Sequence, residues 1–155
     1  MKDSSGRQVD YSVIRVNQAF TIALLLLAFV LNSTILLALV ALVMLISAAV
    51  PRLGLFRFVY DRLLRPSGLV KPDVIADNPE PHRLAQGLGG TFVGAGFILV
   101  VVGYPLIGWA LAWLVIALAS ANLFLGFCAG CFIYYQLNRL GVPGFSYRPV
   151  RRGDR

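Results

Sequence analysis

The chain has 155 residues, of which 58% are hydrophobic and 14% charged, with a formal net charge of +7. Thr21–Val50 and Leu84–Asn138 contain no charged residue, whereas about a quarter of an ordinary soluble domain is charged. This excludes a soluble globular domain. It also removes nucleic acid as the partner of the basic residues, which in such a chain set topology and meet anionic lipid.

Residues 1–10 read as a short polar tail with no cleavable signal sequence. Asp10 is placed to cap a helix starting near Tyr11, and a first span is predicted over 12–31. Asn32-Ser33 is the only turn signal inside this apolar run, so a second span is predicted over 34–50, stopped by Pro51. One long helix kinked at Asn32 would leave half of the run without a place in the bilayer. From Arg52 to Arg65, apolar residues recur at helical spacing between arginines, which reads as a basic amphipathic segment in the headgroup layer, against anionic lipid. An ordinary juxtamembrane tail with snorkelling arginines reads nearly as well.

Residues 66–82 are rich in proline and read as an extended connector. Asn78-Pro79-Glu80 has the composition of a helix start. A third span is predicted over 82–102, a turn at Gly103-Tyr104-Pro105, and a fourth span over 107–138. The fourth would be about 48 Å long at about 1.5 Å per residue, so it must tilt, break or protrude. Residues 141–155 read as a basic flexible tail, outside a single domain over 1–140.

All 14 Lys and Arg fall in the N-terminal tail through Arg15, in Arg52–Arg83, and from Arg139 onward. Neither hairpin turn carries one. The fold class is therefore an all-α membrane protein of four transmembrane helices in two hairpins. All three basic regions then share one face, and the positive-inside rule makes that face, with both termini, cytoplasmic. Arg15-x-x-Gln18 and Arg83-x-x-Gln86 open the first and third helices alike, a weak internal repeat. Gly90-x-x-x-Gly94 and Gly126-x-x-x-Gly130 are small-residue stripes, expected to pack the third and fourth helices together. A dimer interface is the alternative use of those stripes.

Chemistry concentrates at Cys128 and Cys131, the only cysteines. On a continuous fourth helix they would share a face with Phe124, Tyr135 and Arg139. With Arg15, Gln18, Arg83 and Gln86 they form the candidate site, a polar cluster at the cytoplasmic end. Three readings stay open: a redox or persulfide pair, a metal site, and two packing cysteines. A metal would need more ligands, and only His82 and Glu80 could complete the set. Apolar burial and the C-terminal half of a helix both disfavour a thiolate, and a cytoplasmic position argues against a resting disulfide. No cofactor is implied.

Three stretches carry a family resemblance: Arg15-Val-Asn-Gln-Ala-Phe, Glu80-Pro-His-Arg-Leu-Ala-Gln-Gly-Leu-Gly and Gly126-Phe-Cys-Ala-Gly-Cys-Phe-Ile-Tyr-Tyr. With these the chain resembles the bacterial integral-membrane family catalogued as domain of unknown function 4395, over roughly residues 8–140. Where that family tends to have Phe after the arginine of the third helix, this chain has Leu84. The resemblance implies a small multi-pass protein of the bacterial inner membrane and no established activity. It further implies a soluble thioredoxin-like or rhodanese-like cytoplasmic partner. Two functions follow: a membrane-embedded thiol or sulfur relay through Cys128 and Cys131, or a non-catalytic structural or accessory subunit, in a homo-oligomer or a larger membrane complex.

Overall fold

A computed structural model describes residues 8–50, 58, 62, 66–68, 74–76 and 78–145. In chain order these form β1 (Gln8–Asp10), α1 (Tyr11–Val30), α2 (Thr34–Ala49), β2 (Val74–Ala76), α3 (Pro79–Val102), α4 (Pro105–Ser120), a π-helical turn (Ala121–Leu125) and α5 (Ala129–Arg139). Tyr11–Val30, Pro79–Val102 and Pro105–Leu125 are long and apolar enough to cross a membrane. Thr34–Ala49 is apolar but shorter, and its 16 residues span about 24 Å at about 1.5 Å per residue.

Local chemistry accounts for the boundaries. Asp10 caps α1, its Oδ1 accepting from the Ser12 N–H at 3.0 Å. The α1–α2 turn depends on Asn32, which adopts φ +47°, a left-handed conformation that asparagine tolerates. Ser33 then caps α2, its Oγ accepting from the Leu36 N–H at 3.3 Å. Asn78 occupies the N-cap position of α3, with Pro79 in the first turn. Gly103 ends α3 at φ +104°, and Pro105 opens α4.

The core lies between the two hairpins: Leu25 and Ala28 of α1, Leu37, Val40, Ala41 and Met44 of α2, Val93 of α3, and Trp109, Ala112, Val115 and Ile116 of α4. The Phe29 ring meets Trp109 and Trp113 edge-on, with centroids 5.3 and 5.4 Å apart. Outside this core many large apolar side chains are exposed, Ile35 and Leu106 at 81% and 84%. In a lipid setting such an exterior needs no further cover, and the helices are held by close packing of small residues.

Glycine contacts correct the expected packing. A Cβ on Gly90 would lie 3.0–3.1 Å from Leu45 and Met44 side-chain atoms, and one on Gly94 would lie 3.9 Å from Ala41. That stripe therefore faces α2, not the fourth helix. The α3–α4 approach is made instead by Gly96 and Gly108, each abutting the other's carbonyl oxygen.

The fold is all-α, as expected, apart from one short ribbon in which β1 of the polar tail and β2 of the connector pair antiparallel, with Gln8 opposite Ala76 and Asp10 opposite Val74. The proline-rich connector is extended at Val74–Ala76, and an extended segment with β-branched Val74 and Ile75 pairs readily when another lies beside it. The fourth helix, against expectation, is not continuous. After the π-helical turn the chain leaves helical geometry at Gly126, φ +67°, and restarts at Ala129. The basic segment Arg52–Arg65 lies outside the described residues except Phe58 and Arg62, whose guanidinium sits 5.6 Å over the Phe58 ring.

Candidate functional site

The break at Gly126 sets the chemistry of the cysteines. Cys128 becomes the N-cap of α5 in extended conformation, and Cys131 sits in its first turn. The two Cα atoms are 5.1 Å apart and the side chains are joined as a disulfide, a spacing within the range a disulfide spans. Cys128 Sγ also accepts the Cys131 backbone N–H at 3.2 Å. The pair is thus placed to form a disulfide, as a dithiol–disulfide couple requires. The objection drawn from a long helix falls: the pair lies at the positive, N–H-donating end of a helix rather than in a C-terminal half.

His82, in the second turn of α3, completes the constellation. Its Nδ1 lies 3.5 Å from Cys131 Sγ. The Tyr11 ring meets His82 edge-on at 5.6 Å and 84°, which fixes the imidazole plane. The His82, Cys128 and Cys131 ligand atoms all lie within 4.8 Å of one another, and all three residues are half-buried. Packing enforces this proximity. Gly130 lies directly against Ala85 of α3, and any side chain at 130 would collide with it.

The remaining candidates are distributed differently. Arg83 is exposed and turns from the thiols to the end of α2. Its Nε and Nη2 donate to the Ala48 carbonyl at 3.1 and 3.0 Å, and Nη2 also donates to the Ala49 carbonyl at 3.1 Å. It thereby satisfies carbonyls that a helix end leaves open. Gln86 pairs with Asn17, donating to its Oδ1 at 3.4 Å, in place of the expected cluster with Gln18. Arg15 is exposed on α1. Tyr135 packs edge-on against Tyr134 at 5.6 Å. Arg139, eight residues beyond Cys131 in α5, is about 12 Å farther along the helix axis at about 1.5 Å per residue. The single face of Phe124, Cys128, Cys131, Tyr135 and Arg139 does not exist, because the break separates Phe124 from the rest. Gly126 contacts nothing within 4 Å of a would-be Cβ, so it serves conformation and not packing.

Two residues at the site were missed from sequence. In the sequence Tyr11 marks only a helix start. Tyr134, 3% exposed, anchors α5 and meets the Phe145 ring at 5.1 Å. Gly141 N–H and Val142 N–H return to the Asn138 and Leu137 carbonyls at 3.1 and 3.2 Å, a closed helix end that brings residues 141–145 of the predicted tail back onto α5. Tyr134 and Phe145 line a groove of about 460 Å³ with Leu45, Arg83, Leu84 and Glu80. Among the described residues, the cluster of close ligand atoms holds His82 and the two cysteines and does not include Glu80.

No curated protein and no solved structure matches the chain. A family model described as "Domain of unknown function (DUF4395)" matches residues 9–139, a span that takes in both hairpins, His82 and the cysteine pair. The chain belongs to that family.

Proposed function

We propose that this is a four-span protein of the bacterial inner membrane whose Cys128–Cys131 pair exchanges electrons with a soluble thioredoxin-like or rhodanese-like protein on the cytoplasmic side. The observation that carries the reading is the placement of the pair at the start of a separate helix, disulfide-bonded and beside His82. A helix N-terminus favours thiolate chemistry. The hairpin turns at Asn32 and Gly103 carry no basic residue, whereas Arg15 and Arg83 flank the end that holds the site. The positive-inside rule assigns that end to the cytoplasm. The arginines of residues 52–65 meet anionic headgroups there.

Exchange balances without a further reactant. A thiolate of the partner attacks one sulfur of the Cys128–Cys131 disulfide, a mixed disulfide forms, and the other cysteine leaves as a thiolate that takes up a proton. A second partner thiol then attacks the mixed disulfide and releases the Cys128/Cys131 dithiol and an oxidised partner. Two electrons and two protons have moved. Cys128 Sγ, which accepts a backbone N–H, is the sulfur better able to carry negative charge, and His82 stands beside the other.

Maleimide mass-tagging in intact cells and inverted vesicles, with and without prior reductant, tests this. Labelling from the cytoplasmic side only, increased by reductant, is expected. Labelling only after denaturation, unchanged by reductant, would reduce the pair to packing and leave the accessory-subunit function. An added sulfur on one thiol, read by mass, would make the pair a persulfide carrier.

A further inference from the structure

The reduced form of the same site has the donors and the geometry of a metal centre. We propose that Cys128 Sγ, Cys131 Sγ and His82 Nδ1 bind one thiophilic divalent cation, with Zn²⁺ as the reference ion, when the disulfide is open. The inference rests on the dithiol–disulfide reading above, since the sulfurs can act as ligands only as thiolates.

Distance is the first argument. Tetrahedral zinc with Zn–S of about 2.3 Å and Zn–N of about 2.05 Å holds a nitrogen and a sulfur ligand about 3.6 Å apart. His82 Nδ1 and Cys131 Sγ are already 3.5 Å apart. Two thiolate ligands require a separation of about 3.8 Å, and all three ligand atoms lie within 4.8 Å of one another. Opening the disulfide lets the sulfurs separate to that distance, and binding then requires Cys128 Sγ to settle about 3.6 Å from His82 Nδ1.

The second argument is charge. Two thiolates, a neutral imidazole and a divalent cation sum to zero, so the loaded site places no net charge beside apolar helices. Free, the two thiolates would be repelled by each other and by that surrounding. The third is preorganisation. Tyr11 fixes the plane of the imidazole, the backbone N–H of Cys131 orients Cys128 Sγ, and Gly130 against Ala85 holds α5 on α3. Such supporting contacts set metal affinity almost as strongly as the ligands do. Among the described residues the group contains three ligands, so one tetrahedral position is left for water or an exchangeable donor. Metal binding and the disulfide exclude each other, and oxidation would release the ion.

The full chain in detergent, reduced without oxygen and with its thiols counted, is titrated with Co²⁺ alone. One equivalent should produce the sulfur-to-cobalt charge-transfer and visible bands of a tetrahedral thiolate site, and Zn²⁺ should bleach them. Oxidised protein should give neither. His82→Gln should weaken binding by roughly tenfold or more, by analogy with supporting-residue losses of about 10–100-fold. X-ray absorption of the zinc-loaded unaltered chain, which does not depend on a variant folding, should report two sulfur scatterers and an imidazole. Reduced protein with two counted thiols and no charge-transfer band overturns the metal site alone. So does cobalt absorption indifferent to His82, or a zinc shell without imidazole. Thiols that no reductant exposes overturn this inference and the exchange reading together.

Discussion

At the scale of single residues, two glycines four positions apart have opposite tasks. Gly130→Ala should push α5 off α3, because its methyl meets Ala85. Overpacking of this kind costs about 1–3 kcal/mol, so thermal unfolding in detergent should fall and maleimide labelling of the reduced cysteines should quicken. Gly126→Ala meets no neighbour, and its penalty is conformational alone, about 1–2 kcal/mol for a side chain held at φ +67°. Relief of that strain favours a helix running through residue 126, which would take Cys128 away from its N-cap position. The readout is the dithiol–disulfide midpoint potential, which should shift in Gly126→Ala even where folding survives. An unchanged potential would mean that the break is not what tunes the pair. Both glycines were visible in the sequence as one stripe. Spacing could not separate them, since a glycine needed for a left-handed turn and a glycine needed for contact look alike in an apolar run.

At the scale of elements, the helix ends explain what was readable and what was not. Asp10, Asn32-Ser33, Asn78-Pro79 and Gly103-Tyr104-Pro105 interrupt long apolar runs with polar or ring-constrained residues. The predicted spans over 12–31, 34–50 and 82–102 accordingly fall within a few residues of α1, α2 and α3. Ser120-Ala121-Asn122 stands at the end of α4, but Leu123-Phe124-Leu125 resumes the apolar run straight into Gly126, so the break itself is unmarked. The pairing of His82 with Cys131 crosses 49 residues of sequence and leaves no periodic trace. Arg83 shows the converse. Its shared helix entry with Gln86 suggests a place near the thiols, yet its guanidinium closes α2. Arg83→Ala should lower stability by about 1–2 kcal/mol, a charged hydrogen-bond group discounted for exposure. Arg83→Lys should recover only part of it, since an ammonium cannot reproduce the planar fork. Equilibrium denaturation measures both. Thiol exchange at matched stability should be unchanged in either variant, and a specific loss of exchange would return Arg83 to the site.

At the scale of the whole molecule, the contacts put the start of α1, the end of α2, the start of α3 and the disulfide at one end, and the two tight turns at the other. In a Cys128→Ser/Cys131→Ser background, single cysteines at Asn32 and Tyr104 should both label from the side opposite to the native thiols. Labelling of the two from different sides would rule out paired hairpins. The small sheet adds something that a count of spans does not. By joining Gln8–Asp10 to Val74–Ala76, it closes the first hairpin and its connector into a ring of chain fastened at the neck. Tyr11 leaves one side of that fastening, and His82 follows the other by a few residues. The strand pairing and the Tyr11–His82 ring contact thus join the same two stretches of chain twice over, and the sulfur site lies beside the second of those joints.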